Sequence, residues 1–179
     1  MKWVISIWLI TAGMGVSYHI VAERKKEIKF FIEMEESLAR LAYYMYQWRM
    51  PVKEILFHME QEEKGTLKSF YRNLEKAMEG RQAEDFGELW KEQSNSLWQD
   101  RYGVKDRFER ETESEIHDVW SEAFRHMPME SEELNRGLHL RMNQIRVHRE
   151  AVEEKYKGEQ KLVFTMGFFV SAFFCLIFL

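Results

Sequence analysis

Charge is absent from both ends of this chain and dense between them. The stretch WVISIWLITAGMGVSYHIVA, from Trp3 to Ala22, is 20 residues without a formal charge, and LVFTMGFFVSAFFCLIFL, from Leu162 to Leu179, is 18 more. All 30 acidic residues, and every basic one except Lys2, fall in 23–161. A helix of about 20 apolar residues spans about 30 Å, the thickness of a bilayer core. The pattern predicts two transmembrane helices, 1–22 and 162–179, around a polar helical domain, 23–161.

Both ends support spanning. Ser6, Thr11 and Ser17 can bond back to helix carbonyls, and Trp3 and Tyr18 stand near the span ends, where amphipathic rings favour the interface. A cleaved signal peptide is the rival reading of the first stretch. Ile20 and Ala22 make a poor small-x-small site for it. The second stretch is apolar all round, which suits a membrane span, and a buried soluble-core helix is its rival reading.

Basic residues set the orientation. Arg24, Lys25, Lys26 and Lys29 follow the first stretch, and Lys155, Lys157 and Lys161 precede the second. Positive residues flank spans on the cytoplasmic side, so 23–161 is expected in the cytoplasm. Lys2 opposes this weakly. Small residues four apart, Gly13 with Ser17 and Gly167 with Ser171 and Cys175, fall on one face of each span and predict a packing seam. His19, a turn from Glu23, is expected at the headgroups.

Between the spans the composition is that of an all-α protein. Only Pro51 and Pro128 break helices outright, and glycine is sparse, at nine. Phe31, Met34, Leu38, Leu41, Met45 and Trp48 recur at alternating spacings of three and four, a narrow seam of coiled-coil type. The first helix is expected to run from Trp3 to about Met50, with about 42 Å of it beyond the bilayer. Pro51 suits the first position of a second helix, since its missing N–H would be unpaired there anyway. A helix running straight through it would lose about 3 kcal/mol. The corner so formed leaves Tyr44, Tyr46 and Arg49 near solvent, within reach of a partner, and turns Met45 and Trp48 inward.

Four more helices are predicted, giving a six-helix antiparallel bundle. Thr66 is expected to cap the third, with Leu67, Phe70, Tyr71, Leu74 and Met78 inward and Gly80 as its stop. The fourth starts near Asp85 and carries Phe86, Leu89, Trp90 and Leu97. The fifth starts at Asp106, with Glu109 as capping-box partner, and buries Phe108, Ile116, Val119, Trp120, Ala123, Phe124 and Met127. The sixth, capped by Ser131, carries Leu134, Leu138, Met142, Ile145, Val152 and Tyr156 and runs on into the second span. Gly158 is tolerated within it at about 1 kcal/mol.

No motif points to catalysis, a cofactor or a metal. The six histidines form no His-Glu-x-x-His, and no glutamate stands three residues before one, as di-iron bundles require. Glu54–His58, Glu113–His117 and Glu122–His126 are four apart and read as surface ion pairs. The runs MEQEEKG and ERETESE read as solvated helix faces. Glycine-rich phosphate loops are missing, and Gly13-x-Gly15 lies inside the first span. A net charge of −5 over 23–161 argues against a nucleic-acid partner. The single cysteine, Cys175, forms no internal disulfide. An enzyme is not expected. The aromatic content, with six Trp, predicts core packing and some partner anchors.

The layout resembles the stage III sporulation protein AB family of endospore-forming bacteria. The most specific stretch is ERKKEIKFFIEMEESLARLAYYMYQWRMPVKEI, similar to the family's basic flank, Leu-rich helix, tyrosine and Pro-led second helix; Tyr46, Pro51, Val52 and Glu54 fall on that pattern. EKYKGEQKLVFTMGFFV resembles the family's Lys-rich lead into the last span. Two departures stand out. Met50 occupies a position where the family usually has threonine, and HMPMESEEL replaces a Leu-Gly turn with an Asp cap.

The resemblance implies a mother-cell membrane protein of the secretion-like channel between mother cell and forespore. It implies a domain similar to the platform protein of type II secretion and type IV pilus systems. Its implied partners are a cytosolic ATPase resembling stage III sporulation protein AA, other membrane proteins of the channel, and the lipid bilayer. It implies no catalytic residue and no cofactor. The competing readings are a general secretion or pilus platform and a two-span membrane sensor.

Overall fold

The structure is a computed structural model. It describes residues 2–79, 86–102, 111–124 and 132–178. Among the described residues there are six helices and no strand: α1 (Lys2–Tyr46), α2 (Val52–Glu62), α3 (Gly65–Ala77), α4 (Phe86–Tyr102), α5 (Glu111–Ser121) and α6 (Glu132–Phe178). The all-α expectation and the order of the helices are met. The expected caps at Asp85, Asp106, Glu109 and Ser131, the breakers Gly80 and Pro128, and Phe108 and Met127 lie outside the described residues.

The chain divides into two compact units, 31–149 and 1–30 with 150–179. In the larger unit, neighbouring helices pack in sequence, α2 on α3, α3 on α4 and α4 on α5. Only Glu63 and Lys64 join α2 to α3, so the two run antiparallel. The seam of α1 is buried at Phe31, Met34, Leu38 and Leu41. Ile55, Leu56 and Met59 of α2, Leu67, Phe70, Tyr71 and Leu74 of α3, and Ile145 of α6 are buried as well. Each such side chain contributes about 1.5–3 kcal/mol when withdrawn from water.

The centre of this core is aromatic. Trp90 lies 4.9 Å from Phe70, 4.9 Å from Trp120 and 4.7 Å from Phe124, ring centre to ring centre. Its indole Nε1 donates to the Trp120 carbonyl at 2.7 Å. That carbonyl, in the last turn of α5, also accepts from Ala123 N–H at 3.1 Å, and the bond satisfies the indole inside the core. Ser37 and Tyr71 share a buried hydrogen bond of 2.6 Å between α1 and α3. Arg146 and Arg149 of α6 both donate to Glu35 of α1, at 2.7 and 3.4 Å.

In the smaller unit, Arg24 joins α1 to α6. Its guanidinium donates to Glu27 at 3.1 Å and to the Tyr156 hydroxyl at 3.0 Å, and lies 4.8 Å from the centre of the Tyr156 ring. Glu27, Phe30, Val152 and Tyr156 are buried there. Gly158 sits inside α6, as expected.

Several expectations need correction. The first helix ends at Tyr46, a turn short of Met50. A residue before proline avoids the α region, so the helix must stop before Met50. The chain reverses through Arg49, whose φ of 49° is left-handed. Trp48 therefore leaves the seam and is 60% exposed rather than turned inward. Pro51 is the N-cap of α2, not its first residue: its φ is −58° and its ψ 142°, and its carbonyl accepts from Ile55 N–H at 3.1 Å. Thr66 is not the cap of α3. Lys64 takes that position, and Gly65 makes the turn with a φ of +56°. α5 ends at Ser121, so Ala123 and Phe124 are buried from a turn.

Candidate partner surface at the α1–α2 corner

The corner is built by two constraints. Pro51 fixes its own φ and pushes Met50 out of the helical region. The left-handed Arg49 then folds the chain back, and Met50 N–H reaches the Tyr44 carbonyl at 3.4 Å while Gln47 N–H bonds Tyr43 at 2.9 Å. A non-glycine residue in this conformation costs roughly 1–2 kcal/mol.

Around this reversal the aromatic side chains form a connected set. The ring centres of Tyr43, Tyr44 and Trp48 are 5.9–6.1 Å apart, and Trp48 Nε1 donates to the Tyr43 hydroxyl at 3.2 Å. Tyr44 stacks on His58 at 5.9 Å, and His58 meets Phe57 edge-on at 6.0 Å. The Tyr44 hydroxyl donates to Glu62, and that carboxylate raises the phenol's pKa above its ordinary value. Tyr43, Trp48 and Phe57 are each at least half exposed.

Of the residues expected at this surface, Tyr46, Arg49 and Pro51 are exposed and Tyr44 is half-buried. Tyr43, Trp48, Phe57 and His58 were missed. Trp48 turns inward in a straight extrapolation of the seam, Tyr43 carries no partner signal, His58 reads as an ion-pair partner of Glu54, and Phe57 lies beside the apolar face of α2 by spacing alone. The structure brings them together because α1 stops early.

The basic flanks divide. Lys25, Lys26, Lys155, Lys157 and Lys161 are exposed, with Lys26 on Glu23 at 2.7 Å and Lys157 3.8 Å from Glu153. Arg24 is half-buried in the contacts with Glu27 and Tyr156 already described. α1 contains Gly13 and Ser17 and α6 contains Gly167 and Ser171, but their side chains lie outside those described. Among the described residues no helix is long and apolar enough to cross a membrane. Most side chains of 2–20 and 163–178 lie outside the described ones.

Two polar expectations change. His117 is buried against the Trp98 ring, 5.0 Å away, so it is not a surface ion pair. Its helix turns that face inward beside Ile116 and Trp120. Glu63, within the MEQEEKG run, is only 6% exposed and accepts from Arg40 at 2.5 Å. Among the described residues no cluster of His, Cys, Asp or Glu is placed to hold a metal ion.

A family model described as stage III sporulation protein AB matches residues 2–179. The chain belongs to the stage III sporulation protein AB family. Membership of this family gives the protein a role in stage III of sporulation. Searches of curated proteins and of solved structures found no match to this stage III sporulation protein AB family member.

Proposed function

We propose that the protein is a two-span membrane protein of the mother cell around the forespore and a platform of the secretion-like channel. Its domain 23–161 lies in the cytoplasm, and it couples a cytosolic ATPase resembling stage III sporulation protein AA to the other membrane proteins of that channel. It binds no nucleic acid and catalyses no reaction. The family match over residues 2–179 carries this reading.

Other features support it. Leu162, Met166, Phe168, Phe169 and Phe173 of α6 are each more than half exposed. Such apolar surface is stable where hydrocarbon covers it. Exposed lysines stand beside both uncharged stretches, as on a cytoplasmic face. The acidic balance of 23–161 disfavours nucleic acid.

Reporter fusions at Gly65 test the placement: a cytoplasmic-type reporter is expected to be active there, and an active periplasmic-type one would sink it. Expression confined to the mother cell is expected, whereas expression in growing cells would favour a general secretion platform.

A further inference from the structure

We propose that Arg24, Glu27 and Tyr156 form a latch that holds α1 and α6 together where the uncharged stretches begin, and that its release lets those stretches part. The latch gives the two-span reading above a moving element, and it stands on contacts within the smaller unit alone.

The first observation is geometric. Arg24 Nη1 donates to Glu27 Oε2 at 3.1 Å and to the Tyr156 hydroxyl at 3.0 Å. The same guanidinium lies 4.8 Å from the centre of the Tyr156 ring. A planar guanidinium can donate and lie against a ring at once, which the ammonium of a lysine does less well. Glu27 shares α1 with Arg24, whereas Tyr156 belongs to α6. Withdrawing Arg24 therefore breaks a tie between helices as well as an ion pair within one.

The second is an asymmetry of burial. Glu27 is only 7% exposed, among Phe30, Val152 and Tyr156, while the Arg24 side chain is 35% exposed. A buried carboxylate is costly once a cation that offsets it is removed. Its escape is to meet water, and that requires the contact between α1 and α6 to open. The joint thus has two arrangements: closed with the guanidinium in place, or open with the carboxylate hydrated.

The third is position. Arg24 stands just past Ala22 and Tyr156 shortly before Leu162, where the two uncharged stretches begin. Hydrocarbon covers apolar helices as well as they cover each other, so no hydrophobic term holds two such stretches together inside a bilayer. A polar joint at their shared end therefore has leverage over their separation.

The test uses the full chain in detergent micelles, with Cys175→Ser and spin labels on Tyr18→Cys and Leu162→Cys. Tyr18 and Leu162 are 71% and 60% exposed, so the labels displace no packing. A single narrow distance is expected with the latch intact. Arg24→Ala is expected to raise the fraction of molecules at longer distances about tenfold. Tyr156→Phe keeps the ring and loses one hydrogen bond, so a smaller rise is expected. Arg24→Ala combined with Glu27→Leu is expected to restore the narrow distance, because no buried carboxylate remains to be hydrated. Near-ultraviolet circular dichroism of the aromatic core shows that each variant is folded.

A distance distribution unchanged by Arg24→Ala overturns the latch. So does a long-distance fraction that Glu27→Leu fails to reduce, since Arg24 then acts by packing alone. Flotation of the chain with lipid vesicles reads the two-span placement separately. A chain that does not float, yet opens on Arg24→Ala, overturns the placement and keeps the latch; a chain that floats and does not open does the reverse.

Discussion

Arg40 of α1 reaches the residue that ends α2, donating from its guanidinium to the Glu63 carboxylate at 2.5 Å. Glu63 is only 6% exposed, while the Arg40 side chain is 37% exposed. Burial pulls the Arg40 pKa down, but the hydrogen bond and charge of Glu63 outweigh it, and the net direction is upward. The pair therefore sits at the edge of the core, with the carboxylate inside. Arg40→Ala strands that carboxylate and is expected to destabilise the domain by about 1–3 kcal/mol. Replacing both residues with apolar ones of similar volume is expected to cost less than the sum of the single changes. Urea unfolding of the three variants gives the coupling; additive losses would show that the pair contributes nothing.

Tyr71 makes stability depend on pH at the alkaline end. Burial drives its pKa far above the ordinary tyrosine value, while the Ser37 hydrogen bond opposes this. The unfolded chain releases the phenol proton from about pH 10 upward, and the folded chain holds it. The unfolded state then binds fewer protons, so stability falls as pH rises past 10, at up to about 1.4 kcal/mol per unit for this residue. Tyr71→Phe is expected to flatten that fall. It also leaves the Ser37 hydroxyl buried without its partner, costing about 1–2 kcal/mol at neutral pH. Adding Ser37→Ala should recover much of this loss. Unfolding midpoints between pH 8 and 11.5 measure both effects, and an unchanged slope in Tyr71→Phe would exclude the phenol as the source.

Trp90 is the side chain whose loss the core tolerates least. It is fully buried among Phe70, Trp120 and Phe124, and its indole donates to the Trp120 carbonyl in the last turn of α5. Trp90→Ala is expected to cost about 3–5 kcal/mol. Trp90→Phe keeps most of the ring area but drops the hydrogen bond, so a loss of about 1–2 kcal/mol is expected. Near-ultraviolet circular dichroism follows the coupled rings; a spectrum unchanged by Trp90→Ala would contradict this arrangement.

Periodic features were legible in the sequence, and contacts between distant residues were not. The spacing of Phe31, Met34, Leu38 and Leu41 defines one face of a helix, and all four are buried. Extending the same spacing to Trp48 failed because Pro51 acts backwards on the chain and ends α1 at Tyr46. The candidate surface was therefore only half visible: Tyr44, Tyr46, Arg49 and Pro51 follow from the corner, while Tyr43, Trp48 and Phe57 depend on how the chain turns. Glu63 looked solvated within an acidic run, but its partner is 23 residues away, and no local pattern reports that. His117 stands four residues after Glu113, yet that spacing says nothing about which face meets Trp98.

Two backbone positions of the same hand predict opposite responses. Gly65 has a φ of +56° and Arg49 a φ of 49°. A Cβ added at Gly65 meets nothing within 4 Å, so the effect of Gly65→Ala is conformational and not steric crowding by neighbours. About 1 kcal/mol of destabilisation is expected, with Gly65→Asn milder because asparagine tolerates the left-handed region. At Arg49 the penalty is already present, so Arg49→Gly removes it. Glycine also frees the unfolded chain, which offsets part of the gain. The net expectation is a midpoint equal to or slightly above that of the wild type. Thermal unfolding of the two single variants separates the cases, and a clear loss of stability in Arg49→Gly would show that the arginine side chain holds the corner together.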